Sequence, residues 1–386
     1  MPLIPTVRLV TLVTTTLLAS ILGAASAAHA TLLIGLGDLP GGSVFSQASA
    51  ISSDGSTVVG DSISASGSEA FRWTAGSGMV GLGDLPGTTF ASFVYGVSSD
   101  GSAIAGRGNS AVNTRAIRWN AADGMVDLGV LSGGAISVGW DISDDGSAVV
   151  GQVFFPSSNE AFRWTAADGM VGLGDLPGGS FDSRARAISG DGSTIVGYAN
   201  SAAGPEAFRW TAPDGMVGLG DLPGGFYNSA ANDVSGDGST VVGYGFSTAG
   251  IEAMRWTAAG GMVGLGDLPG GSVQAQAFGV SDDGTTVIGF GSTAAGLEAF
   301  VWNDDTGMQR LWDVLFAAGI DPSADGWSVL TAAYGMTPDG RTIVGYGARN
   351  GHPEAFLAVI SVPESSWTPW LAAAATGALL LLQRRG

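Results

Sequence analysis

The chain contains no cysteine and no lysine, and His29 and His352 are its two histidines. Without cysteine there is no disulfide, iron–sulfur cluster or cysteine nucleophile. Without lysine there is no Schiff base, and two histidines are too few for a multi-histidine metal site. A Ser-His-Asp triad has only His352 to draw on, because His29 lies in the N-terminal leader described below. We therefore expect no catalytic residue, no metal site and no cofactor.

Positive charge is scarce, whereas glycine is abundant. All 15 basic residues are arginine and stand against 34 acidic residues, which gives a formal net charge of −19. Such a chain is a poor partner for nucleic acid, because phosphate contacts need basic side chains. Glycine accounts for 64 of the 386 residues but does not recur at every third position, so the chain is not collagen-like. Hydrophobic residues make up 45% of the chain, which is ample material for a core.

Residues 1–30 have the three parts of a secretory signal peptide. Arg8 precedes an apolar run, Leu9–Leu22, and the segment ends with Ala28 and Ala30 in the pattern of a cleavage site. We expect cleavage after Ala30 and export of the rest of the chain. An uncleaved N-terminal membrane anchor is the alternative.

Residues 362–386 form a second segment that does not belong to the fold. Pro363 and Glu364 precede an apolar stretch that ends in Arg384 and Arg385. The apolar stretch is shorter than the roughly 20 residues that span a bilayer comfortably. The arginine pair is typical of a tail that stays in the cytoplasm.

This C-terminal layout resembles the PEP-CTERM sorting signal of Gram-negative bacteria, with Ser365 where the motif has its last proline. The resemblance implies a short transmembrane helix that holds the protein in the membrane before processing. It also implies an exosortase-like sorting enzyme as a partner and a place in the cell envelope, on the cell surface or in the extracellular matrix. A plain C-terminal membrane anchor is the alternative.

Residues 31–361 repeat one unit about every 46 residues. A tryptophan recurs at this spacing, at Trp73, Trp119, Trp164, Trp210, Trp256 and Trp302. An Asp-Gly pair keeps the same step, with its aspartate at Asp54, Asp100, Asp145, Asp191, Asp237, Asp283 and Asp339. The last pair is delayed by an insertion around residues 310–327, in which residues 309–318 have the spacing of a short helix.

Each unit has the pattern of four short strands. Asp-Gly between two β-branched runs predicts a type I′ hairpin, and four strands in about 46 residues are typical of one propeller blade. The segment 32–37 matches a fourth strand without the preceding three, and the last unit lacks its fourth strand. We therefore predict an all-β, seven-bladed β-propeller closed by the N-terminal strand. The alternatives are an open β-solenoid and another blade count.

The repeat resembles the HAF family of bacterial extracellular repeats. The segment for which that family is named is Glu-Ala-Phe here, beginning at Glu69, Glu160, Glu206, Glu298 and Glu354. Glutamate thus stands where the family has histidine, so a role of the family's histidine does not carry over. The resemblance implies a secreted, propeller-like protein and no particular reaction.

Two sets of charged residues recur once in most units. The arginine before the repeated tryptophan recurs, and so does the aspartate of a Gly-Asp-Leu-Pro turn, and equal numbers predict that each arginine pairs with a turn aspartate. Asp321 begins a segment that resembles half of a calcium loop, but Ala332 stands where the bidentate glutamate belongs, so a plain turn is favoured. Non-repeated acids such as Asp182, Asp233 and Asp313 offer no basis for choosing a catalytic pair.

These observations favour an exported, non-enzymatic protein of the cell surface or matrix, which binds extracellular polysaccharide or has a structural role there. The alternative is a secreted hydrolase or lyase that acts on polysaccharide through carboxylate chemistry. A lone acidic pair with perturbed pKa values in a channel pocket favours the enzyme. A third possibility is a calcium-stabilised adhesin.

Overall fold

The computed structural model describes residues 31–87 and 89–360. The predicted signal peptide and sorting segment, with Ala28, Ala30, Pro363, Glu364, Arg384 and Arg385, lie outside the described residues. Within the described residues no helix is long and apolar enough to cross a membrane.

The Asp-Gly hairpins form at the predicted positions, but their turns are not of the predicted type. In the first of them the Gly55 N–H donates to the Ser52 carbonyl, and Gly55 has a φ of 71° whereas Asp54 does not have a positive φ. A type I′ turn needs positive φ at both central residues, so the prediction of that type is wrong. The carboxylate of Asp54 instead accepts hydrogen bonds from the Ser52 hydroxyl and the Ser56 N–H, at 2.6 and 2.9 Å, and closes a longer loop.

The strands on either side of these hairpins pair antiparallel in groups of four, in chain order. The first three sheets contain β2 (Gly41–Ile51), β3 (Val58–Ser64), β4 (Gly67–Thr74) and β5 (Gly78–Gly81); β6 (Ser92–Val97), β7 (Ala103–Asn109), β8 (Thr114–Asn120) and β9 (Gly124–Asp127); and β10 (Ile136–Ile142), β11 (Ala148–Phe154), β12 (Asn159–Thr165) and β13 (Gly169–Gly172).

The next three sheets repeat the pattern. They contain β14 (Gly178–Ile188), β15 (Thr194–Ser201), β16 (Gly204–Thr211) and β17 (Gly215–Gly218); β18 (Gly224–Val234), β19 (Thr240–Ser247), β20 (Ile251–Thr257) and β21 (Gly261–Gly266); and β22 (Gln276–Val280), β23 (Val287–Thr293), β24 (Gly296–Asn303) and β25 (Gly307–Arg310). The third and fourth sheets also touch edge to edge through one parallel bridge, between Asn159 and Asp182.

The last sheet takes its fourth strand from the other end of the described chain. Its order is β1 (Leu32–Gly35), β28 (His352–Val359), β27 (Thr342–Arg349) and β26 (Trp327–Met336). β1 pairs with β28 in the register that β5 has with β4 in the first sheet: Leu32 lies opposite Val359 just as Gly78 lies opposite Thr74.

The core is a series of apolar layers between neighbouring sheets. The third strand of a unit contributes a fully buried aromatic side chain, at Phe71, Phe162, Phe208, Phe300 and Phe356. One cluster joins Val59 of the first sheet to Ile104 of the second, and another joins Phe71 of the first sheet to Val344 of the last. Each sheet therefore buries both of its faces, which explains why the strands are rich in apolar residues.

The insertion before the last sheet carries the predicted helix, α1 (Leu311–Ala317), followed by a 3₁₀ turn at Pro322–Asp325. Leu311 and Leu315 are fully buried against the sixth and last sheets. Asp321 caps the 3₁₀ turn by accepting from the Ser323 N–H at 2.9 Å, so this segment is a turn, as favoured above. The prediction of an all-β fold is confirmed, with α1 as a short addition.

Candidate functional site

In each sheet the strand that precedes the Asp-Gly hairpin contains a β-bulge. The bulged residue comes five residues before the aspartate of the Asp-Gly pair. The bulged residues are Ser49, Tyr95, Trp140, Arg186, Asn232, Phe278 and Tyr334. A bulge places two residues opposite one and turns the strand locally, so it re-aims a side chain. The partner strand has glycine beside the bulge, and a Cβ on Gly60 would lie 1.9 Å from the Gln47 carbonyl oxygen.

The bulged residues of all these sheets line one central space, which we call the channel. Its two connected cavities have volumes of about 290 and 210 Å³ and share the bulged side chains. The repeat therefore brings together a position at which its copies differ widely.

Asp141 and Asp233 follow two of the bulged residues, and both line the smaller cavity. The other units have alanine or glycine at this position. Each carboxylate accepts a hydrogen bond from the backbone of the next sheet: the Ile188 N–H donates to Asp141 and the Val280 N–H to Asp233, both at 2.9 Å. The two aspartates are thus held alike, two sheets apart.

Burial raises the pKa of Asp141 to about 7 and that of Asp233 to about 8. The charge of Asp141 raises the pKa of Asp233 further, whereas the backbone N–H donors act in the opposite direction on both. Two carboxyl groups that interact share their protons, and near neutral pH such a pair holds one. This arrangement can both donate and accept a proton.

A third acid and its arginine lie beside the channel. Burial raises the pKa of Asp61 to about 6, and the nearby Arg107 acts against that rise. Arg107 also lies beside the hydroxyl of Tyr95, whose ring packs 4.5 Å from that of Trp140.

Different parts of the channel wall are formed by aromatic rings and by an arginine. Phe278 packs edge-on against Tyr334 at 5.1 Å, and Tyr334 stacks on Tyr346 at 6.0 Å. On another part of the wall the guanidinium of Arg186 lies over Trp140, 4.9 Å from the ring centre. Aromatic faces and charged donors are the groups that orient sugars and other polar ligands in pockets.

The hairpin end of the channel is bordered by a chain of hydrogen bonds between sheets. The Ser99 N–H donates to the Asp144 carbonyl, the Asp144 N–H to the Gly190 carbonyl, and the Gly190 N–H to the Gly236 carbonyl, at 3.0–3.1 Å. Burial raises the pKa of Asp144, and the charge of Asp282 raises it further. This end of the channel is therefore acidic and lined by backbone.

The predicted pairing of repeated arginines with turn aspartates is wrong. Arg118 donates to the Gly146 carbonyl, and Arg255 forms an ion pair with Asp304 at 3.1 Å, both on the next sheet. The turn aspartate Asp84 instead accepts backbone N–H groups from its own loop and from Asn109. A backbone donor a few residues away needs no long side chain to be immobilised, so the turn closes on itself.

Sequence reasoning singled out Asp233 only as a non-repeated acid, and it missed Asp141 and Arg186. Asp313 lies outside the channel and pairs with Arg310, and the exposed His352 begins β28. The signal that could have found the missed residues is the alignment of the repeats on their Asp-Gly pairs. That alignment puts Arg186 and Asp141 at positions where neighbouring units have small or unlike residues.

No three histidine, cysteine or acidic residues within residues 31–87 and 89–360 are grouped as ligands of a metal ion. Asp141 and Asp233 come from different sheets, and each accepts a backbone N–H of the next sheet.

No known protein family and no curated protein matches the sequence. Solved structures match the fold. An oligogalacturonate lyase in complex with manganese has a TM-score of 0.50 at 18% identity, covering 83% of this chain and 89% of that one. Oligogalacturonate lyase from Vibrio parahaemolyticus has a TM-score of 0.50 at 13% identity, covering 81% and 88%. TolB from Acinetobacter baumannii, of whose length the chain spans 58%, has a TM-score of 0.45 at 13% identity over 62% of this chain.

These likenesses show a β-propeller-like fold, and they correct the functional prediction. The expectation of a non-enzymatic protein is wrong, because structures of this fold include lyases. Four acids, Asp141, Asp144, Asp233 and Asp282, line the smaller cavity, and the pKa values of Asp141 and Asp233 are raised to about 7 and 8. The expectation rested on missing lysine, cysteine and histidine. Acid–base chemistry by two aspartates needs none of these.

Proposed function

We propose that the protein is an enzyme that cleaves a polysaccharide in the channel, with Asp141 and Asp233 as its proton-transfer pair. The observation that carries this proposal is that Asp141 and Asp233 line one cavity, each accept a backbone N–H of the next sheet, and have pKa values raised to about 7 and 8. Perturbed pairs of this kind cluster at catalytic sites. A carboxyl group that only supports a turn has no need of such a position, as Asp84 illustrates.

The pair suits either of two reactions. In a hydrolase the protonated carboxyl donates to the leaving oxygen, while the ionised one activates water or attacks the sugar. In a lyase the ionised carboxyl takes a proton next to a sugar carboxylate, and the protonated one again serves the leaving oxygen. The manganese of the similar lyase complex has no matching ligand group among the described residues, so we derive no metal step.

Asp141→Asn is the first test of this proposal. Asparagine retains the oxygen that accepts from the Ile188 N–H but cannot carry the proton, so we expect turnover to fall by about 10²–10⁴-fold. The parent enzyme should show a bell-shaped pH profile with its maximum between about 7 and 8, because one carboxyl must be protonated and the other ionised. Release of reducing ends from a panel of polysaccharides measures both.

Asp221→Asn is the matched control. Asp221 also accepts two backbone N–H bonds, from Leu222 and Asn228, but lies in a turn outside the channel. Equal loss of turnover in the Asp141 and Asp221 variants would show a structural effect and refute the proposal. Products that contain a new carbon–carbon double bond identify a lyase, and saturated products identify a hydrolase.

We also propose that the sheets form seven blades of one closed ring. Support comes from the Gly37 N–H, which donates to the Glu354 carboxylate at 3.1 Å across the two ends, just as the Gly83 N–H donates to Glu69 within the first sheet. Packing of Phe71 with Val344 between the first and last sheets supports it as well.

Finally, we propose that residues 1–30 direct export and that residues 362–386 are a PEP-CTERM-like signal handled by an exosortase-like enzyme, so that the channel meets extracellular polysaccharide. The three-part layout of the C-terminal segment supports the sorting proposal. A reporter fused to residues 362–386 should localise to the envelope of an exosortase-bearing host and lose that location when Pro363 and Glu364 are replaced by alanine. A fusion that stays freely soluble would contradict it.

A further inference from the structure

Three arginines, Arg107, Arg184 and Arg186, differ from the arginines of the repeat. They lie at positions where the other units have uncharged or acidic side chains, on or beside the channel wall. The Nε atom of each is buried and has no hydrogen-bond partner among the described residues. The repeated Arg118, by contrast, uses its Nε to bind a carbonyl of the next sheet at 2.8 Å.

Arg186 is the member of this set that reaches the channel directly. Its guanidinium lies over two aromatic rings, 4.9 Å from the ring centre of Trp140 and 5.5 Å from that of Tyr198. Neither contact supplies a hydrogen-bond acceptor. The indole N–H of Trp140 is also buried without a partner, so two donors at the same place are left unused.

Its neighbours are more fully engaged. Arg184 lies 3.5 Å from a carboxylate oxygen of Asp182 and 5.2 Å from the ring centre of Tyr198. Arg107 lies 4.4 Å from the ring centre of Phe93 and faces Asp61. Buried donors of folded proteins nearly always have partners, and a charged donor without one is costly. The missing partner of Arg186 is therefore expected to come from a ligand.

We propose that the substrate is an acidic glycan and that Arg186 binds the carboxylate of one of its sugars, with Trp140 donating beside it. This inference rests on the proposed function. The planar fork of a guanidinium matches a carboxylate through paired hydrogen bonds, and the two rings beside Arg186 leave its Nε donor free for such a partner. Phe278 and Tyr334 offer ring faces to the sugar itself.

The charges around Arg186 set the direction from which such a substrate arrives. The hairpin end carries Asp144 and Asp282, which repel an anion. Arg107, which lies opposite Phe93, and Arg184 are farther from the hairpins, and they offset the charges of the nearby Asp61 and Asp182. Asp141 and Asp233 face the same cavity, and their raised pKa values leave them partly neutral at pH 7. An acidic glycan therefore enters at the end remote from the Asp-Gly hairpins.

Binding can be measured separately from turnover. Calorimetry with the full chain should detect oligogalacturonate, a carboxylated probe, and should detect neither a neutral maltooligosaccharide nor a sulfated dextran fragment with comparable affinity. General attraction does not account for such binding, since the chain has a net charge of −19. Raising the salt concentration should weaken the interaction.

Arg186→Gln should weaken binding of oligogalacturonate about tenfold or more, which corresponds to about 1.4 kcal/mol. Arg186→Lys keeps the charge but loses the fork, so we expect an intermediate affinity. Arg209→Gln is the matched control, because Arg209 contacts Thr194 in a groove between sheets away from the channel. Circular dichroism spectra that coincide with the parent's confirm that each variant is folded.

Equal binding of the neutral and carboxylated probes, preference for the sulfated probe, or unchanged affinity in a folded Arg186→Gln variant would each overturn the inference. Carboxylate-specific binding by Arg186 without cleavage of any polysaccharide would support it while refuting the proposed enzyme. Cleavage of a neutral polysaccharide with no dependence on Arg186 would do the reverse.

Discussion

Asp233→Asn is expected to make the protein more stable at pH 8 while abolishing most of its turnover. Ionising Asp233 in the folded protein is unfavourable, because its pKa is raised from 3.8 to about 8 by burial and by the charge of Asp141. Asparagine keeps the acceptor for the Val280 N–H and carries no charge. The substitution therefore removes an electrostatic cost together with the proton that the proposed reaction needs.

The sign of the pH dependence follows from linkage. The folded state holds the proton of Asp233 more tightly than the unfolded state does, so the protonated carboxyl contributes its full stability below pH 3.8. That contribution is lost as the pH rises through about 8. A tenfold difference in proton affinity is worth about 1.4 kcal/mol. Because the carboxyl still faces the channel, we expect a gain of about 1–3 kcal/mol for the variant at pH 8, well below the full shift.

Thermal melts at pH 5 and pH 8, together with turnover, measure this effect. The melting temperature of Asp233→Asn should exceed the parent's at pH 8, and the difference should shrink at pH 5, where Asp233 is protonated in the folded parent. Asp221→Asn should show no such gain at pH 8. A variant that is less stable than the parent at pH 8 would mean that Asp233 serves the fold as an ionised acceptor.

The repeated part of the fold was predictable because the strands and hairpins of each unit follow from local sequence signals. Asp-Gly pairs mark the hairpins, and Phe71 and Trp73, like their equivalents, are two residues apart and so lie on one face of the third strand. The apolar spacing of the insertion predicted α1, which forms at Leu311–Ala317. The turn type was not predictable from Asp-Gly alone, because the Asp54 side chain selects another loop by bonding its own backbone.

The channel was harder to predict because it depends on contacts between sheets. Period-two alternation places side chains on alternate faces of a strand, but a bulge interrupts the alternation, so the direction of Trp140 or Arg186 does not follow from its neighbours. The raised pKa values of Asp141 and Asp233 arise from burial between sheets and from each other. Neither the direction of the bulged side chains nor the raised pKa values can be predicted from a local sequence pattern.

Regular repetition of the unit is compatible with a site that is not repeated. Recurring residues such as Arg118 do serve the architecture, since they tie one sheet to the next. The same regularity places the variable bulged residues at the channel, and the residues that follow them are alanine or glycine except at Asp141 and Asp233. A repeat protein can therefore carry a unique site without any unique motif.

Deletion of Thr31–Gly37 is expected to unfold the whole described domain. The deletion removes β1 and with it two buried leucines: Leu33 packs in the cluster between the sixth and last sheets, and Leu36 in the cluster between the first and last sheets. Burial of a leucine side chain is worth about 1.5–3 kcal/mol, and the total stability of a domain is only about 5–15 kcal/mol. The deletion also leaves the outer edge of β28 unpaired.

A closed ring and an open array respond differently to this deletion. In an open array only the terminal sheet loosens, because each repeat depends on its neighbours alone. In a ring the loss spreads, so amide exchange should accelerate even in β15 and β16, which lie half the chain away. Protection that persists there while β27 and β28 lose theirs would contradict the proposed closure.

A circular permutant should restore the stability that the deletion removes. Because Leu32 lies opposite Val359 as Gly78 lies opposite Thr74, a short turn like residues 75–77 can join Val359 to Leu32. A chain that begins at Gly41 and carries residues 32–40 after this turn makes the last sheet continuous in sequence. We expect it to melt within a few degrees of the parent, because the same strands pair and only the position of the chain ends has changed. If the permutant were as unstable as the deletion, the N-terminal residues would be needed as a chain end, and the pairing of β1 with β28 would not be what holds the ring together.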